Sequence, residues 1–126
     1  MRPMNVILIG LGGAIGAMLR YGCVTLAARL FGPGFPWGVF IANVAGSFAM
    51  GLAAAILMEK IEAPRAAAFL MLGLLGGFTT FSAYSLDAVR LIEGGRITAG
   101  AVYIGGSVAL ALIALVAGLM IGRALT

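Results

Sequence analysis

The densest run of chemistry in this sequence is Gly76-Gly77-Phe78-Thr79-Thr80-Phe81-Ser82-Ala83-Tyr84-Ser85, set inside a long apolar stretch. Adjacent glycines followed by two β-branched residues weaken a helix. Thr and Ser hydroxyls can satisfy the backbone groups that a break in an apolar helix frees. Such a break exposes carbonyls suited to a small hard cation such as Na⁺. The alternative is an unbroken helix whose hydroxyls bond back to the preceding turn; composition alone does not choose between them. Phe81 and Tyr84 stand three apart, so on a helix they share a face. Their positive ring edges can favour an anion without a fixed charge, whereas their apolar bodies also suit lipid or core.

Asn43 lies inside a second apolar stretch, with Ser47 one turn later on the same face. Its amide needs a partner in an apolar setting: either a helix–helix hydrogen bond or an anion that its NH₂ group would meet. Arg20 is the one charge deep in an apolar stretch. Two roles fit it: snorkelling from a helix end to the interface, or drawing anions into a vestibule. Asp87 and Glu93 fall near a helix end and read as interface charges. Histidine is absent and Cys23 is the single cysteine, so neither a Cys/His metal cluster nor an intramolecular disulfide can form. No nucleophile–base pair of the enzymatic kind is present, and no basic run points to nucleic acid.

These residues need elements to hold them. Of the 126 residues, 63% are hydrophobic and 10% charged, with twenty glycines. That is too apolar for a domain covered by water. Four apolar stretches, at about residues 4–30, 37–58, 66–92 and 97–123, are each long enough to cross a hydrocarbon layer of about 30 Å. They form one all-α transmembrane domain. Gly32-Pro33-Gly34-Phe35-Pro36 reads as the first turn. Met1-Arg2 could open a signal peptide, but the first stretch is too long and Gly-rich and carries Arg20. Small residues recur four apart (Gly12 with Gly16, Ala42 with Gly46, Ser47 with Gly51, Gly73 with Gly77, Gly118 with Gly122), as close helix packing in lipid requires.

Four spans place both ends of the chain on one side. Arg2, Lys60, Arg65 and Arg123 fall on that side, against Arg29, Arg90 and Arg96 on the other. So even a distribution of basic residues leaves orientation undetermined. It suggests insertion both ways up and an antiparallel homodimer, or a weak bias under which one orientation still wins. A bundle this small encloses little space, so any cargo is very small or the pore needs a second subunit.

At these residues the chain resembles the Fluc (CrcB) family of fluoride channels along essentially its whole length. The resemblance rests on Gly16-Ala17-Met18-Leu19-Arg20, on Asn43-Val44-Ala45-Gly46 and, most specifically, on Gly76 to Ser85. It implies a third helix broken at mid-membrane and a dual-topology antiparallel homodimer with two pores, in a cell inner membrane, exporting cytoplasmic fluoride down its electrochemical gradient. It implies that Asn43 donates to fluoride, that Phe81 and Tyr84 present ring edges to the pore, and that Thr80, Ser82 and Ser107 lie along it. Arg20 matches the family's vestibule arginine. Carbonyls of Gly76 and Thr79 from each subunit would hold one structural Na⁺. Two departures stand out: Tyr84 takes a position where many members have Phe, and Tyr103 precedes Ser107 by a turn where others often have a smaller polar residue.

Two other classes share some of these features. A small multidrug-type exporter would need a carboxylate in the first span, and none is there. A non-transporting assembly subunit would not need Asn43 and the Phe/Thr/Ser cluster to converge.

Overall fold

The computed structural model describes residues 3–125. Among them are four helical spans, Pro3–Phe31, Trp37–Lys60, Pro64–Glu93 and Ile97–Ala124, each long and apolar enough to cross a membrane. We call the first two α1 and α2. The third comprises α3 (residues 64–78) and α4 (Phe81–Glu93), and the last is α5. Even the shortest span, with 24 residues, reaches about 36 Å at 1.5 Å per residue. The last 7 residues of α2 (Ala54–Lys60) and the 8 residues Ala68–Leu75 of α3 are wound as wider π turns.

Turn chemistry closes the helices. Gly32, at φ 81°, follows α1 and its N–H donates to the Ala28 carbonyl at 2.9 Å, the left-handed cap that glycine adopts without a Cβ penalty. Pro64 opens α3, where its missing N–H costs nothing.

The bundle is assembled through glycine. A Cβ on Gly12 or Gly16 would run into the α3 backbone at Phe69 and Leu74; one on Gly51 or Gly118 would run into the facing backbone across α2 and α5. Thus α1 packs on α3, and α2 lies between α1 and α5. The third span changes neighbours midway: α3 runs along α1, and α4 packs on α5. The change falls at Thr79 and Thr80, both in extended conformation (φ −95°, ψ 148°; φ −152°, ψ 132°). Gly76 and Gly77 themselves remain helical. Weakness of the helix is thus expressed at the two β-branched residues after them, while Gly77 serves packing: a Cβ there would sit 2.6 Å from the Gly13 carbonyl oxygen.

The buried core is thin, half of its hydrophobic residues being Ala, with Val39, Leu57, Leu75, Leu91 and Tyr103. Large apolar side chains on every span face outward, as a lipid-embedded bundle requires. At the end carrying the chain termini, Arg123 makes a bidentate pair with Glu59 (2.9 Å for both contacts), and Lys60 Nζ donates to the Arg123 carbonyl at 2.6 Å. Arg2, counted with that end in the sequence, lies outside the described residues.

Candidate functional site

The two extended threonines are held by α2. The Asn43 carboxamide pairs twice with the Thr80 backbone: Oδ1 accepts from its N–H at 3.0 Å, and Nδ2 donates to its carbonyl at 3.3 Å. This is the helix–helix alternative anticipated for a buried amide, yet one of the two Nδ2 hydrogens is left over for another acceptor. Gly46, one turn on, lets α2 approach closely enough that a Cβ there would strike the Thr79 methyl.

The threonine hydroxyls finish the helix ends. Thr79 Oγ1 donates to the Leu75 carbonyl at 2.9 Å, and Thr80 Oγ1 caps α4 by accepting from the Ala83 N–H at 3.4 Å. Thr80 Oγ1 also lies 3.0 Å from Ser82 Oγ. The carbonyls of Gly76 and Thr79 are among those that lose the donors an unbroken helix would give them. The N–H due to Gly76 is that of Thr80, which goes to Asn43. The N–H due to Thr79 is that of Ala83, which goes to Thr80 Oγ1.

Beside this crossing runs an open-sided groove of about 240 Å³, lined by Asn43, Ser47, Thr79, Thr80, Phe81, Tyr84, Ser107 and Ala111. It gathers five of the pore residues named from sequence. Ser82, the sixth, is exposed and reaches the groove only through Thr80. Phe81 is 68% exposed, and its ring centroid lies 5.5 Å from that of Tyr84. The Tyr84 hydroxyl donates to the Ile104 carbonyl at 2.8 Å, so its proton goes to α5 and is not offered to the groove that Tyr84 lines. Ser107 is 4% exposed, and its Oγ has no hydrogen-bond partner among the described residues. A buried hydroxyl left so costs about 1–3 kcal/mol, and this one lines the groove, where a small acceptor could take its proton.

Two residues named from sequence lie elsewhere. Gly76 is exposed beside the groove without lining it. Arg20 lines a separate pocket of about 570 Å³ at the loop end, with Arg90 and Arg96; the two cavities share no residue. Tyr103 is fully buried and stays out of the groove. It packs against Tyr84 and Phe35, with centroids 5.2 and 5.4 Å away, and its hydroxyl donates to Asp87 Oδ2 at 3.4 Å. Asp87 is therefore half-buried in a network, not simply an interface charge, and nothing in its local sequence announces a partner 16 residues on. Ser47 and Ala111 join the groove one turn after Asn43 and Ser107 on the same helix faces, as their four-residue spacing implies.

Fold and site together define an all-helical, multi-pass membrane protein whose polar groups converge on one groove where its third span changes course. Residues 7–119 match the family model described as CrcB-like protein, Camphor Resistance (CrcB). The chain is 46% identical over 123 residues to a protein of Rhizobium etli (strain CIAT 652) named fluoride-specific ion channel FluC, covering 97% of this chain and 98% of that one. Proteins of the same name from Cereibacter sphaeroides (strain ATCC 17029) and Paracoccus denitrificans (strain Pd 1222) are 51% and 50% identical, over 91% and 93% of both chains respectively. The chain belongs to the CrcB family.

Proposed function

We propose that this protein is a fluoride-selective channel, not an enzyme, through which fluoride leaves the cell across the inner membrane and its toxicity is relieved. Relatives named for fluoride conduction over nearly the full chain support it. The observation that carries it is the groove, where a spare Asn43 N–H, an unpartnered Ser107 hydroxyl and the Phe81 and Tyr84 rings face one space. Fluoride is small and strongly hydrated, so its dehydration is costly. A fixed cationic cage would hold it too tightly to conduct. Several weak donors and ring edges offset dehydration and still allow release. Mildly acidic surroundings load cells with HF, which dissociates inside, and the membrane potential then drives the anion out.

The open side of the groove fits closure by a second copy. In this reading two chains pair antiparallel as a dual-topology homodimer, and the third helix acts as a broken helix at mid-membrane. Arg20 supplies positive potential at the entrance. The Gly76 and Thr79 carbonyls, relieved of their helical donors, suit a small hard cation, and two copies would offer four oxygens to one Na⁺. Bound there, it would fix the two third spans against each other.

The test is fluoride efflux from liposomes holding the purified protein, with valinomycin clamping K⁺ and a fluoride electrode as readout, repeated with chloride. Fast fluoride loss without chloride loss is expected. Well-folded protein in silent liposomes would overturn the channel reading in favour of an assembly subunit.

A further inference from the structure

The pocket of about 570 Å³ at the loop end has features that the groove does not use. Its walls come from α1, the turn at residues 32–36, the start of α2 and the outer face of α4. Arg20, Arg90 and Arg96 all line it, against one carboxylate, Asp87. None of the three guanidinium groups makes a hydrogen bond or an ion pair within 4 Å among the described residues, where the ion pair found is Arg123–Glu59, at the opposite end. The rest of the lining is apolar or aromatic, including Val24, Leu86, Phe35 and Trp37. Phe35 and Trp37 pack together with centroids 4.7 Å apart, in the position of an interfacial aromatic belt.

From this arrangement we infer that the pocket binds the phosphate headgroup of an anionic phospholipid, with a glycerol and acyl segment lying on the apolar wall. Planar guanidinium forks match phosphate oxygens two at a time, and three unpaired forks against one carboxylate leave the pocket net positive. The apolar wall favours a lipid over free phosphate, and the pocket lies where a span meets the headgroup layer. The site does not depend on fluoride conduction. It shares no residue with the groove, and although Arg20 is common to it and to the entrance proposed above, Arg90 and Arg96 would bind lipid in a chain that conducts nothing.

The experiment titrates the full-length protein in detergent with phosphatidylglycerol or phosphatidylcholine of matched acyl chains, counting bound lipid by native mass spectrometry. Phosphatidylglycerol is expected to bind about tenfold more tightly, the scale of one charge-assisted hydrogen bond. The variant Arg90→Gln/Arg96→Gln is expected to bring its binding down to that of phosphatidylcholine. Arg65→Gln, an exposed basic residue at the other end, is expected to change nothing. Equal binding of the two lipids, or an equal loss in Arg65→Gln, would overturn the site. Displacement of the lipid by inorganic phosphate at the same concentration would overturn the lipid in favour of a bare phosphate site. Fluoride efflux measured in parallel keeps a silent channel distinct from an absent lipid site.

Discussion

Asn43 bridges α2 to the backbone of Thr80 through two hydrogen bonds and keeps one N–H in reserve. Its replacement therefore tests two things. Asn43→Ala leaves a Thr80 N–H and carbonyl without partners in an apolar setting, at a cost of about 2–4 kcal/mol. It is expected to melt earlier in detergent and to lose fluoride efflux. Asn43→Asp keeps the acceptor but loses the donors and adds a negative charge, so efflux is expected to fall at least tenfold with a smaller loss of stability. An Asp variant that conducts normally would remove Asn43 from the pore. Ser107 separates structure from function more sharply. Its hydroxyl has no partner among the described residues, so Ser107→Ala removes an unsatisfied group and is expected to leave thermal stability unchanged or raised by up to about 1 kcal/mol. Efflux in the same variant is expected to fall several-fold. Destabilisation without a change in efflux would mark the hydroxyl as purely structural.

At the scale of elements, the third span must pass from α1 to α5 while crossing α2, and a continuous helix could not pack on both. Two extended residues make the crossing, and neighbouring glycines do different jobs. Gly77 faces α1, where a Cβ would lie 2.6 Å from one backbone oxygen and 3.1 Å from the Gly13 Cα. Gly76 has only an ordinary contact at 3.5 Å and is exposed on this chain. Gly77→Ala is thus expected to cost about 1–3 kcal/mol and lower the melting temperature in detergent. Gly76→Ala keeps the carbonyl but sets a methyl on that exposed surface, so it is expected to fold normally and to hinder the approach of a partner chain or an ion. Its efflux, with and without Na⁺, reads that directly; full activity in Gly76→Ala would argue against a role for that surface. Much of this was legible beforehand because it is local. The four spans follow from apolar length, the close contacts from small residues four apart, and the weak point from Gly and Thr in succession. What crosses between helices was not legible. Which carbonyl the Tyr84 hydroxyl reaches, why Tyr103 turns to Asp87, and where Arg20 sits all depend on helix rotation and crossing, which no periodicity encodes.

At the scale of the whole molecule, the position of Arg20 alters the charge balance that bears on orientation. Its pocket is lined by the 32–36 turn and by Arg96, so it belongs with the loop end. The loop end then carries Arg20, Arg29, Arg90 and Arg96, and the other end Arg2, Lys60, Arg65 and Arg123. Four against four is the distribution least able to set an orientation, because insertion responds to the excess of Lys and Arg near the ends of spans. If the working unit pairs two opposite orientations, a small imposed bias should abolish activity without harming the fold. Arg29→Gln with Ile61→Arg gives five against three in favour of the terminal end; Arg65→Gln with Thr98→Arg gives the reverse. All four positions are exposed, so neither change disturbs packing. Each variant, in a Cys23→Ala background with one cysteine introduced in a loop, is expected to label from one side of the membrane only. Each is expected to lose fluoride efflux when expressed alone, and the two expressed together are expected to recover it. Full efflux from a uniformly oriented variant would instead mean that parallel chains, or a single chain, complete the groove.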